Sequence, residues 1–137
     1  MPYIGGDITE ITYSHPTLGS GTIYCKANED GTLDPGGFRS NDDANAITGD
    51  GKLIDQINRV RGSYESPPIA WDMTDQDELS KLAALAASPV LSNWTINHRN
   101  GKIWGGTGKP VGDVTGNTNT ALVTLKIAFE GEVRSLS

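Results

Sequence analysis

Two histidines, one cysteine and seventeen acids are the side chains on which chemistry could be built in this 137-residue chain. His15, His98 and Cys25 fall short of the Cys and His ligand set that a structural zinc site draws from short spacings. Each histidine therefore reads as a surface or hydrogen-bonding residue. Ser20, in GSG, lacks the nucleophile-elbow context, and neither histidine has a recognisable partner pattern. Two of the acids could always be paired to imitate a glycosidase, but spacing in sequence does not set the spatial separation that such chemistry requires. The stretch GGTGKP, Gly105–Pro110, offers glycine N–H groups and a lysine to a phosphate. It departs from a phosphate-binding loop in detail: Ile103 stands five positions before Gly108, Pro110 replaces the hydroxyl that would hold magnesium, and no helix pattern follows. It reads as a loop or turn. Acids in NEDGTLDPGG and NDDANAITGDG could supply oxygen ligands to calcium, but the twelve-residue alternation ending in glutamate is absent. The expectation is no catalytic residue, no cofactor and no metal.

The elements that would position any site are mostly strands. Seventeen glycines and seven prolines favour turns and short strands, and a hydrophobic content of 36% suits one lean domain spanning residues 1–137. Asp7–Tyr13 and Gly21–Ala27 predict a hairpin across SHPTLGS, with Ile23 and Cys25 on one face. GKLIDQINRVRG predicts a strand, and PIAWDMT another, with Ile69, Trp71 and Met73 alternating. TDQDELSKLAALAASP predicts the one helix: Thr74 as N-cap, an acidic first turn, a stripe of Leu79, Leu82, Ala83 and Ala86, and Pro89 as the stop. SNWTINHRNGKIWGG predicts a hairpin with a two-residue turn at Asn100-Gly101. TALVTLKIAFEG predicts a single half-buried strand with Ala121, Val123, Leu125, Ile127 and Phe129 on its apolar face. Trp71 reads as core, and Trp94 and Trp104 as core or as interface anchors.

Between these elements, residues 27–51 hold five glycines and six acids (Glu29, Asp30, Asp34, Asp42, Asp43 and Asp50) against one cation, Arg39. Leu33, Phe38 and Ile47 are its only large apolar side chains. Such a run cannot bury itself, and a connection of this length is expected to be functional or disordered. It also holds most of the excess charge: the chain has net −6, and outside this run eleven acids face ten bases. No global basic field exists to attract a phosphate backbone. A single cysteine forbids an intrachain disulfide and suits a reducing compartment. No apolar run approaches the length of a membrane span and the start lacks a secretion pattern, so synthesis in the cytoplasm and no membrane partner are expected.

The sequence GDGKLIDQINRVRG leading into SPPIAWDMT, the helix DQDELSKLAALAAS directly behind, and the closing GGTGKPVGDVTGNTNTALVTLKIAFEG carry a resemblance. In that order and texture, over about Asp7 to Gly131, the chain resembles the tail tube proteins of contractile-tailed bacteriophages and the related inner tube proteins of tailocins and type VI secretion systems. The resemblance implies a mainly β fold with one α-helix, a β-sandwich or barrel of the tail tube type, assembling into hexameric rings. It implies a structural, non-enzymatic role: stacked rings of identical copies inside a tail sheath on a baseplate, in the virion, with DNA passing through and not specifically bound. The polar run at about 27–51 would then be ordered by neighbouring copies at assembly. Leu33, Phe38 and Arg39 are the expected subunit contacts, because apolar and arginine side chains stranded in a polar loop have little to do in a lone monomer. Other tube-fold components (initiator, terminator, baseplate hub) share that pattern. A monomeric calcium-dependent β-sandwich binding module is the principal alternative, and an enzyme whose site assembles only in space is the third.

Overall fold

The computed structural model describes residues 5–40, 46–54 and 57–136. Among them the chain forms β1 (Ile8–His15), β2 (Gly19–Ile23), β3 (Thr32–Asp34), β4 (Gly37–Ser40), β5 (Ala46–Ile47), β6 (Leu53–Ile54), β7 (Ile57–Val60), β8 (Ser63–Glu65) and β9 (Ile69–Ala70). Helix α1 (Glu78–Ala87) follows, then β10 (Ser92–His98), β11 (Ile103–Pro110), β12 (Gly116–Asn117), β13 (Leu122–Val123), β14 (Lys126–Phe129) and β15 (Arg134–Ser135). The expected mainly β architecture with one helix is present and compatible with a β-sandwich. No described helix is long and apolar enough to cross a membrane.

One eight-stranded sheet dominates, ordered β2-β1-β10-β11-β14-β8-β3 with β15 alongside β11, and every pairing in it is antiparallel. Its inner face carries Ile11, Tyr13, Ile23, Trp94, Ile96, Ile127 and Phe129, all buried. Leu82 and Leu85 of α1, with Ile69 and Val123 from the three-stranded sheet β12-β13-β9, close the other side of that core. Trp94 packs 5.5 Å from Tyr13, centroid to centroid, and its Nε1–H donates to the Gly108 carbonyl at 3.0 Å, so the ring is buried without an unpaired polar atom. Trp94 is therefore core, and Trp104 is half-buried, edge-on to His98.

Several expectations are corrected. The last strand is two: β13 belongs to the small sheet and β14 to the large one, the chain crossing between them at Thr124 and Leu125. Its parity survives the crossing, because Val123, Leu125, Ile127 and Phe129 are all buried. The imperfect alternation of the first strand is a β-bulge between Ile8 and Glu10, which lets Ile8 reach the core beside Ile11. Cys25 lies beyond β2 in an isolated bridge to Ile69. PIAWDMT keeps only two strand residues, and Met73 points outward because the Asp72 carboxylate folds the next residues into a turn, accepting from the N–H groups of Thr74 and Asp75. Thr74 is thus no N-cap; Asp77 occupies that position, at φ 45°, accepting from Trp71 Nε1 and Ser80 Oγ. The helix buries Glu78, Leu82 and Leu85, with Leu79 and Ala86 half-buried and Ala83 exposed, so its stripe is rotated from the expected one. The β10–β11 connection is a three-residue loop closed by His98 N–H on the Lys102 carbonyl. Gly101 alone takes positive φ there (92°), as a type I turn with a glycine bulge requires, in place of the expected two-residue turn.

Candidate assembly surface

Among the described residues between 27 and 51, strands stand where a long polar loop was expected. Backbone pairing, which needs no apolar side chain, recruits them: β3 pairs β8 as the last strand of the large sheet, β4 pairs β7, and β5 pairs β6. The base of the resulting ribbon is fastened by the carboxylate of Asp34, which accepts from the Gly36 N–H at 3.0 Å and from the Arg39 guanidinium. Those two bonds, Arg39 first, hold the Asp34 carboxyl below the usual carboxylate range. Val133 N–H on the Pro35 carbonyl and Gly62 N–H on the Gly131 carbonyl, both at 2.8 Å, tie the same base to the main sheet. In the separate β5–β6 pair, Thr48 and Lys52 close a turn backbone to backbone at 2.8 Å, and the Thr48 hydroxyl donates to Asp50, lowering that carboxyl in turn.

The three expected contact residues are thereby separated. Leu33 packs against the chain's own core beside Tyr64, so it has an intramolecular role. Arg39 is engaged with Asp34. Phe38 remains, 69% exposed and directly opposite Arg59 in the β4–β7 register. Alternate residues of a strand share a face and opposite residues of a pair share one too. Phe38, Arg59 and Ile57 therefore lie on one side of the ribbon, and Ile57 is 62% exposed. Ile57 was not among the expected contacts, because the strand predicted over GKLIDQINRVRG was assigned no exposed face. At the sheet's ends, β2 pairs only β1 and β3 pairs only β8 among the described residues, so each presents an outer edge of unpaired backbone groups.

Other candidate chemistry is placed elsewhere. GGTGKP is the body of strand β11, where its backbone is committed to the ladder with β10 and not free to cradle a phosphate. Its glycines answer to packing: a Cβ on Gly106 would stand 2.7 Å from the Phe129 ring, and one on Gly108 would stand 2.2 Å from the Ala128 carbonyl oxygen. His15, 4% exposed, contacts Ser88 Oγ through Nε2 at 2.9 Å, a Ser–His pair at bonding distance. Its Nδ1, however, accepts the N–H groups of Thr17 and Leu18 at 3.1 and 3.0 Å. The neutral ring must then carry its proton on Nε2, pointing at Ser88 and at the Val90 carbonyl, which leaves no base to activate the serine. The Cys25 thiol is pushed up to about 12 by burial, far from a nucleophilic thiolate at neutral pH. Among the described residues no three His, Cys, Asp or Glu side chains gather as a metal site. What the geometry does offer is a ribbon with an exposed apolar face and two open sheet edges. The chain matches no family model, and no curated protein matches it in sequence.

Proposed function

We propose that this chain is a structural protomer that assembles with identical copies into stacked hexameric rings, forming the inner tail tube of a phage or phage-like injection machine. The observation that carries the reading is the β4–β7 ribbon, whose Phe38 and Ile57 stand exposed on one face with nothing in the described chain to cover them. A two-stranded ribbon is marginal in water by itself, so a neighbour that buries this face would supply the missing stability. The open edges at β2 and β3 favour the same conclusion: joining β2 of one copy to β3 of the next is a head-to-tail contact, which closes into a ring when the rotation per copy allows. The tube-type resemblance in the sequence selects the ring over an open fibre.

Electron microscopy of the purified protein tests the proposal, with long hollow filaments as the expected outcome. A variant combining Phe38→Ala and Ile57→Ala, both on the exposed face of the ribbon, is expected to abolish filaments while its circular dichroism and unfolding midpoint stay close to the parent's. A particle that stays monomeric at every concentration, or that responds tightly to calcium as a monomer, would overturn the reading in favour of a binding module.

A further inference from the structure

A cavity of about 380 Å³ opens where the end of β2, the chain just after β9 and the start of α1 meet. Tyr24 and Trp71 supply aromatic surface to it, and Gln76 and Glu78 supply polar groups. The bridge between Cys25 and Ile69, continued by the Ala70 N–H on the Tyr24 carbonyl at 2.8 Å, brings the two aromatic residues together from distant parts of the chain. Trp71 is held on two sides: its Nε1–H donates to Asp77 at 3.1 Å, and its ring abuts Gly116, where a Cβ would stand 2.8 Å away. Tyr24 is 57% exposed, so its ring keeps free surface beside the cavity.

Glu78 is the decisive side chain. It is 7% exposed, yet its two carboxylate oxygens share a single donor, the Asp72 N–H, at 2.9 and 3.0 Å. None of the ion pairs among the described residues includes it. An ionised carboxylate offers about four acceptor sites, and burying one is costly unless it is paired and hydrogen-bonded. The helix dipole favours an acid in the first turn, but it brings no donor to the remaining lone pairs. Neighbouring acids are already committed, Asp77 to Trp71 and Ser80, and Asp72 to Thr74 and Asp75. Residues 72–78 hold four acids and no Lys or Arg, and Lys81, one turn on, interacts with Asp77. We propose that this cavity binds a primary alkylammonium ion, with the ammonium on Glu78 and the alkyl stem along Tyr24 and Trp71. Aromatic faces attract a cation through their quadrupole and also accept its methylenes as apolar surface. The Glu78 lone pairs and the Gln76 side-chain oxygen are the acceptors that three N–H donors require. The surrounding acids repel an anion from the same cavity. All of these walls come from one chain, so the site exists with or without assembly of copies.

Ligand-detected saturation-transfer NMR on the full chain tests the site in the free or the assembled state. The probe is n-butylammonium, with n-butanol as its neutral counterpart and tetramethylammonium as a cation without N–H groups. Butylammonium is expected to give a saturable signal, and both comparison compounds to bind at least about tenfold more weakly, because neither brings charged N–H donors to Glu78. Glu78→Gln keeps an acceptor for the Asp72 N–H and removes the charge, so butylammonium affinity should fall about tenfold or more. Tyr24→Ala, at an exposed position, should lower it about threefold and leave the circular dichroism unchanged. Equal binding of butanol or tetramethylammonium, or undiminished butylammonium affinity in either variant, would overturn the proposal. Should Glu78→Gln fail to fold, Tyr24→Ala and the butanol comparison decide it. Lysine capped as its N-acetyl methylamide then separates the two sources of such an ion: comparable affinity assigns a lysine side chain of a protein, and exclusion assigns a free amine.

Discussion

The large sheet and the β4–β7 ribbon use the same antiparallel backbone pairing, yet their side chains are treated in opposite ways. On the sheet, Ile11, Trp94, Ile127 and Phe129 disappear beneath α1 and the small sheet. On the ribbon, Phe38 and Ile57 are left in solvent, and the described groups that hold the base are an exposed ion pair and a few backbone hydrogen bonds. Hydrogen bonds alone add little net stability, because the unfolded chain makes them to water. Burial adds about 25 cal/mol per Å² of apolar surface, and the ribbon as a monomer forgoes it. The contrast teaches that a strand can be drawn correctly by pairing and still be energetically unfinished.

The largest break of this comparison is a pair of phenylalanine truncations. Phe129→Ala removes a fully buried ring against which Gly106 is fitted, and is expected to cost about 3–5 kcal/mol of monomer stability in urea unfolding. Phe38→Ala removes an equally large ring from an exposed site, and is expected to shift the same midpoint by less than about 0.5 kcal/mol while weakening self-association in sedimentation velocity. Similar losses of monomer stability from both would mean that the ribbon is covered within its own chain.

A smaller effect sharpens the inner side. Tyr64, 3% exposed on β8, has no hydrogen-bond partner for its hydroxyl among the described residues, and burial raises its pKa above the usual phenol range. Tyr64→Phe deletes an unsatisfied buried donor while keeping the ring, so the thermal midpoint should hold or rise, by a gain of up to about 1 kcal/mol. A clear fall in midpoint would show that the hydroxyl has a partner that matters to the fold.

What was legible in the sequence follows the same division. The inner face of the sheet was readable because burial enforces period two: Ile127 and Phe129 keep their parity even where the chain leaves one sheet for another. The helix was readable from its apolar spacing, but its start was not, because the Asp77 N–H that a Thr74 cap would serve donates instead to the Asp72 carbonyl, and the Asp72 carboxylate folds Thr74 and Asp75 into a turn. GGTGKP read as a loop because glycine's local preference is for turns; its reason for lying in a strand is Phe129, more than twenty residues away. The polar run was misread for the converse reason: polarity forbids a core, but it does not forbid a ladder, and the partners β7 and β8 lie beyond the run itself. On the candidate surface, Phe38 stood out as an isolated aromatic. Ile57 did not, since exposure depends on which face of which pair it joins.

The finest test separates ribbon from sheet by pH. Asp34, at the base of the β4–β7 ribbon, and Asp50, in the turn of the separate β5–β6 pair, have carboxyls lowered chiefly by the Arg39 and Thr48 hydrogen bonds respectively. A carboxyl depressed in the folded state contributes its stability above the unfolded value, near 3.9, and loses it as the pH falls through the folded value. The core strands β1, β2 and β10 hold one carboxyl, Glu10, with His15 and His98 at the ends of β1 and β10. Hydrogen exchange followed from pH 7 downward, corrected for intrinsic rates, is therefore expected to show β4 and β7 amides losing protection below about pH 4 while β10 amides keep theirs. Asp34→Asn should give the neutral-pH ribbon the protection that the parent shows in acid, because the amide cannot hold Arg39 by charge. If ribbon and sheet lose protection together, with or without that substitution, the ribbon is part of the same cooperative unit as the core, and its exposed apolar face is stabilised from within the chain.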